Sequence, residues 1–143
     1  MSRSSSIHLT IQQGATFRRV LKWGAYPYPV RQECGGVVIN AQTGRPANPA
    51  DFVPVDLTGC MARMQIRAEV GAILPLLELS TTNGRIALGG VDGTATLTLD
   101  AVTTAALTWD SGVWDLEITH PGGEVSRMAE GTASVSPEVT RDP

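Results

Sequence analysis

Cys60-Met61-Ala62-Arg63-Met64-Gln65-Ile66-Arg67 decides the fold. Cys60, Ala62, Met64 and Ile66 fall on one side of an extended chain, and Met61, Arg63, Gln65 and Arg67 fall on the other. A strict two-residue period of this kind is a strand with one core face and one polar face. The same period recurs on both sides of it. Ile7, Leu9 and Ile11 alternate with His8, Thr10 and Gln12, and after Gly14 a second strand runs from Thr16 to Trp23, expected to pair with or neighbour the first. Ile73–Leu79 reads as a mostly apolar strand with Pro75 at an edge or a bulge. Thr81-Thr82-Asn83-Gly84 predicts a hairpin flanked by Leu79 and Ile86. Ala95, Leu97 and Leu99 alternate with threonines, and Trp114, Leu116 and Ile118 alternate with Val113, Asp115, Glu117 and Thr119. Pro121-Gly122-Gly123 turns the chain into a last strand, Glu124–Val135, with Gly131 expected as a bulge. The one helix predicted is short, capped by Asp100 and running through Leu107.

Seven to eight short strands with turns every 8–12 residues predict an all-β fold, an antiparallel immunoglobulin-like β-sandwich. The 143 residues fit a single domain, 1–143. Residues 1–6 lack the apolar core of a signal peptide and read as a solvated N-terminal arm. Residues 137–143 read as an extended C-terminal tail. Residues 24–55 hold five of the nine prolines (Pro27, Pro29, Pro46, Pro49 and Pro54) and read as a long loop, with Gly36–Asn40 able to pair locally and Gln42-Thr43-Gly44 turning. A loop of that length is functional or poorly ordered. Subtracting it leaves ~110 residues for the sandwich, an ordinary immunoglobulin-like size.

Composition narrows the function. A net charge of −3 carries no basic excess for wrapping a nucleic acid. No apolar run approaches the ~20 residues of a membrane span. Lysine occurs once, at Lys22, against ten arginines. Arginine suits lasting contacts, because its planar fork pairs with carboxylates and stacks on apolar neighbours; a coding bias towards arginine is the plain alternative. Cys34 and Cys60 could form one disulfide, although nothing marks the chain as exported.

Catalytic chemistry has little to work with, so no enzymatic activity and no cofactor are expected. His8 and His120 have no cysteine or carboxylate at metal-ligand spacing and read as surface histidines. Asp115 and Glu117 share a strand face and suit a solvated face or arginine partners better than an acid–base pair. Gly89-Gly90-Val91-Asp92-Gly93 lacks the lysine and the helix of a phosphate-binding loop and reads as a turn. Asp92 and Asp110 do not complete a calcium loop. Trp23, Tyr26 and Tyr28 cluster near the long loop, where they could stack on sugars, anchor a partner or form the rigid base of the loop.

Three stretches together resemble a family of small structural proteins of tailed bacteriophages. They are Ile7–Phe17 (IHLTIQQGATF), Val55–Arg67 (VDLTGCMARMQIR), and Trp114–Ile118 with Gly131–Arg141 (WDLEI, GTASVSPEVTR). Their order is similar to that in the N-terminal domain of phage upper-baseplate proteins. The resemblance implies a sandwich made in the host cytoplasm and built into the virion at the tail, baseplate or collar. There it would be one of many copies in a symmetric assembly, contacting other tail and baseplate proteins. The family pattern has a short turn where this chain inserts residues 24–54, and Trp114 stands where the pattern usually has tyrosine. Interface candidates are Arg63, Arg67 and Arg127 on the polar strand faces, Arg141 in the tail, and Trp23, Tyr26 and Tyr28 beside the insertion. Two other readings remain: a carbohydrate-binding adhesin module that takes a host glycan, and a head-decoration protein.

Overall fold

The alternation at residues 62–66 is realised as expected. Ala62, Met64 and Ile66 are buried, Met61 and Arg63 are exposed, and the strand they form is an inner strand of the larger sheet. The computed structural model describes residues 5–141, so most of the N-terminal arm and the last two residues lie outside it. In chain order the strands are β1 (Ser5–Gln12), β2 (Phe17–Lys22), β3 (Gly24–Ala25), β4 (Val30–Gln32), β5 (Val38–Asn40), β6 (Val53–Pro54), β7 (Met61–Arg67), β8 (Leu77–Ser80), β9 (Ile86–Leu88), β10 (Thr94–Leu99), β11 (Ser111–Thr119) and β12 (Val125–Ser136), with α1 (Ala101–Ala105) between β10 and β11. The fold is all-β. One sheet has the order β1-β12-β11-β7-β8 and a second has the order β2-β10-β9, eight strands in two layers. Leu9, Ile11, Met64, Ile66, Leu116 and Ile118 of the first sheet and Leu21, Ile86, Leu97 and Leu99 of the second share one buried cluster.

Several expectations are corrected. β1 and β2 do not pair. β1 runs parallel to β12, the one parallel partnership in an otherwise antiparallel pair of sheets, and β2 pairs with β10 in the other layer. The crossing is made at Gln13–Thr16. There the buried Thr104 of α1 accepts a hydrogen bond from Gly14 N at 3.0 Å and donates through the same hydroxyl to Ala15 O at 2.9 Å. Gln13 adds Nε2 to Leu107 O and accepts from Glu138 N, both at 2.9 Å, so helix, corner and tail close together. Asp100 caps α1 as predicted, accepting from Thr103 N at 2.8 Å.

Asn83-Gly84 does not close a hairpin. A two-residue type I′ turn needs both residues left-handed, and only Gly84 is (φ +79°). The Asn83 side chain instead accepts from Ser80 N and Arg85 N, and the chain leaves β8 in one sheet to enter β9 in the other. The strand expected over Ile73–Leu79 begins only at Leu77, because residues 68–76 form a projecting loop. The bulge in β12 falls at Met128, where Leu116 pairs with Ala129 and Glu117 with Arg127. It turns two successive residues, Met128 and Ala129, into the core. Gly131 stays in register with both Ile7 and Trp114, and a side chain there would collide with the Ile7 backbone. A close approach, rather than a bulge, requires that glycine.

The insertion is folded. Gly24–Ala25 pairs with Val53–Pro54, and within that frame Val30–Gln32 pairs with Val38–Asn40. The tail bends rather than running extended, with Arg141 donating to Glu138 O at 2.6 Å.

Two substitutions test this frame by denaturant melts. Thr104→Val leaves Gly14 N and Ala15 O without their partner and should cost about 1–3 kcal/mol. Gly131→Ala should cost about 2–4 kcal/mol, by forcing β1 off β12. A neutral outcome for either would contradict the roles given to the corner and the close approach.

Candidate functional site

The outer face of the five-stranded sheet gathers three of the seven candidate residues. Adjacent strands put Arg63 and Arg67 of β7 beside Asp115 and Glu117 of β11, with Glu78 of β8 on one flank and Arg127 and Glu130 of β12 on the other. The charges answer one another within the chain. Arg63 Nε lies 2.6 Å from Glu78 Oε1, and Arg127 lies 3.1 Å from Glu130 and 3.5 Å from Asp115. The hydrogen bond from Arg63 holds the Glu78 carboxyl below the ordinary glutamate range, helped by Gln65. A shallow groove of about 530 Å³ crosses this face over β7, β11 and β12. On the β1 flank, His8 Nδ1 is 2.7 Å from Thr132 Oγ1 and Nε2 is 3.0 Å from Ser134 Oγ.

Arg67 is spent differently. Its guanidinium donates to Gln65 Oε1 at 2.6 Å, to Ala72 O at 2.7 Å and to Ile73 O at 3.0 Å. It braces the β7–β8 loop from beneath. That loop carries Val70, Ile73 and Leu74 at 88%, 91% and 76% exposure. Sequence reasoning placed Ile73 and Leu74 in a mostly apolar strand with Pro75 at an edge or a bulge, so this exposed loop was missed; Gly71 before them was the unused signal.

The aromatic candidates divide. Tyr26 stacks near Tyr28 with ring centroids 5.7 Å apart and meets Phe52 edge-on at 5.5 Å, while Lys22 Nζ sits 4.9 Å from the Phe52 ring centre. Tyr28 donates its hydroxyl to Asp51 Oδ2 at 2.7 Å, a bond that pushes the phenol pKa up. Phe52, which the sequence reading left out, joins this group through Tyr26 and Lys22. The rings help line an open, mostly apolar depression of about 550 Å³, to which Pro29, Val30, Val38 and the charged Arg31, itself paired with Glu33, also contribute. Trp23 lies apart from them, packed on the core with its ring 6.3 Å from that of His120. His120 in turn sits 3.6 Å from the sulfur of Cys60, a free thiol, and 3.1 Å from Ser126 Oγ. Arg141 turns onto the carbonyls of its own tail and joins no cluster.

Among the described residues, no group of three or more histidine, cysteine or carboxylate side chains is placed to hold a metal ion. The described helix is too short to cross a membrane. What the surface offers is a polar sheet face with internally matched charges, a mostly apolar depression in the insertion, and an exposed apolar loop. No protein-family model matches the chain, and no curated protein matches it in sequence.

The Glu78 carboxyl is held ionised in the folded state, so its contribution to stability is present above the ordinary glutamate pKa. That contribution is lost as the pH falls through the lower folded-state value. Thermal melts run downward from neutrality should therefore show the Glu78→Gln variant losing less stability than the parent below about pH 4. Equal acid sensitivity in the two would show that the Arg63–Glu78 bond carries no measurable stability, a common outcome for exposed pairs.

Proposed function

We propose that the chain is a non-enzymatic structural component of a tailed-phage virion, placed in the tail, baseplate or collar and incorporated in several copies. The observation that carries this reading is the edge strand β1. It spans eight residues, Ser5–Gln12, and contains no charged residue and no proline; its far edge has no partner strand among the described residues. Proteins that work alone blunt such an edge with charge, proline or a bulge. A strand left open in this way suits a protein whose neighbours complete its sheet. The sequence resemblance at residues 7–17, 55–67, 114–118 and 131–141 supports the same reading. The proposal includes an immunoglobulin-like arrangement of the two packed sheets. Its partners would be other tail and baseplate proteins, met through the sheet faces, the termini and the insertion.

The glycan-binding reading draws less support. Tyr26, Tyr28 and Phe52 are half-buried against one another, and the Tyr28 hydroxyl is already engaged by Asp51. A sugar platform calls for open ring faces with free polar neighbours.

Mass spectrometry of purified virions of the phage that encodes the chain, followed by cryo-EM placement, tests the proposal. The expected result is a multi-copy tail component whose β1 edge abuts another chain. Absence from particles would overturn it. Saturable binding to host lipopolysaccharide that is abolished by Tyr26→Ala would favour the adhesin instead.

A further inference from the structure

We infer that the open edge of the three-stranded sheet takes an acidic, extended segment of another protein, which adds to β2 as a further strand and sets its carboxylates on Arg18, Arg19 and Lys22. The virion reading stands on the β1 edge; this contact uses the β2 edge and is decided by binding in solution.

Charge is distributed unequally between the two layers. On the outer face of the five-stranded sheet the arginines have carboxylates or carbonyls of the same chain for partners. The three-stranded sheet offers none. β2 reads Phe17-Arg18-Arg19-Val20-Leu21-Lys22, and none of the chain's 14 aspartates and glutamates falls in β2, β9 or β10. Register sets Arg18, Val20 and Lys22 beside Thr98, Thr96 and Thr94 of β10, so the neighbouring strand brings hydroxyls and no anion. All three cations are exposed, and none takes part in an ion pair among the described residues. Lys22 has the Phe52 ring 4.9 Å away, which leaves its charge without a counter-ion. In a chain of net charge −3 this strip is a local reversal of sign.

The cations lie along an open backbone edge. β2 is the last strand of its sheet, with β10 on one side and no strand on the other among the described residues. Alternate N–H and C=O groups of such an edge point outward, unpaired by the ladder. Two depressions lie between β2 and the edge of the other layer. One, of about 290 Å³, is bordered by His8, Thr10 and Gln12 of β1 together with Arg18 and Arg19. The other, of about 260 Å³, is bordered by Ile7 of β1 together with Arg19, Leu21 and Lys22. Arg19 belongs to both, and no carboxylate lines either.

Arg19 makes the edge selective. It alternates with Phe17 and Leu21 and stands opposite the buried Leu97, on the core-facing side of β2, yet it is exposed. A charge turned inward at a sheet edge refuses indiscriminate pairing, because a neutral strand laid over it would cover the guanidinium and leave it unpaired. A strand that carries glutamate or aspartate supplies the partner as it covers the charge. The outward N–H and C=O groups are matched by another main chain, which favours a peptide. Three cations on an acidic chain fall short of the basic surface that a nucleic acid requires.

Fluorescence anisotropy with a labelled, end-blocked peptide that alternates glutamate and threonine tests this on the full chain. The parent should bind it saturably, and more weakly as salt is added. R18S/R19S should bind at least about 10-fold more weakly. R18E/R19E should lose the peptide and take up its lysine–threonine counterpart, which the parent refuses. Both variants replace exposed side chains and should keep the parent's circular dichroism; the gained lysine peptide is itself a sign of a folded edge. Full backbone N-methylation of the acidic peptide should abolish binding with its charge unchanged, since an added strand needs those donors. A parent that does not bind the acidic peptide, equal binding by R18S/R19S, or equal binding of the methylated peptide would each overturn the inference. So would tighter binding of an oligothymidylate of the same charge, which would make a nucleic acid the partner of this edge.

Discussion

The structure depends on the corner at Gln13–Thr16, where the chain leaves one sheet for the other. A single buried hydroxyl, that of Thr104, accepts from Gly14 N and faces the carbonyl of Ala15, groups that neither ladder can satisfy. Buried backbone groups left without partners cost more than most contacts return, so this hydroxyl decides whether the crossing is tolerable. The arrangement explains why α1 exists at all. Five residues make a poor helix by propensity, but Asp100 caps them and they place Thr104 under the corner. Gln13 extends the same network to Leu107 and Glu138, which fixes the end of β12 and hence the parallel partnership with β1.

With the two layers pinned, the outer sheet face and the loops divide the surface between them. Arg63 and Arg127 on the face are answered by carboxylates of the same chain, and Arg67 by backbone carbonyls. A neighbour binding there would have to compete with these partners. Val70, Ile73 and Leu74, among the most exposed aliphatic side chains of the described residues, stand on the Arg67-braced loop rather than on the sheet face.

The sequence made the faces legible and the partners illegible. Alternation at residues 62–66, 95–99 and 114–118 marks which side chains are buried, because a strand's side-chain period is two whatever it pairs with. That period says nothing about whether β1 lies beside β2 or β12, and the corner residues that decide it are an ordinary glutamine, glycine and threonine. Asn83-Gly84 misled because the signal is chemical while the outcome is conformational: Gly84 alone became left-handed, and the Asn83 side chain stitched a sheet-to-sheet crossing. Ile73-Leu74 misled because hydropathy records a preference for burial, not its fulfilment. At the site, alternation put Arg63, Arg67 and Arg127 on a polar face correctly, but the carboxylates and carbonyls that occupy them come from other strands. Phe52 went unread since its ring partner, Tyr26, lies more than twenty residues away across a proline-rich stretch.

The central claim is that the Thr104 hydroxyl makes the crossing at Gln13–Thr16 tolerable and so ties the two layers together. Hydrogen–deuterium exchange of the full chain and of its Thr104→Val variant tests it most directly. The account predicts that Gly14, β1 and the end of β12 lose protection together in the variant, while β7 and β8 keep theirs. Exchange unchanged by the substitution, or a loss spread evenly over both sheets, would contradict it.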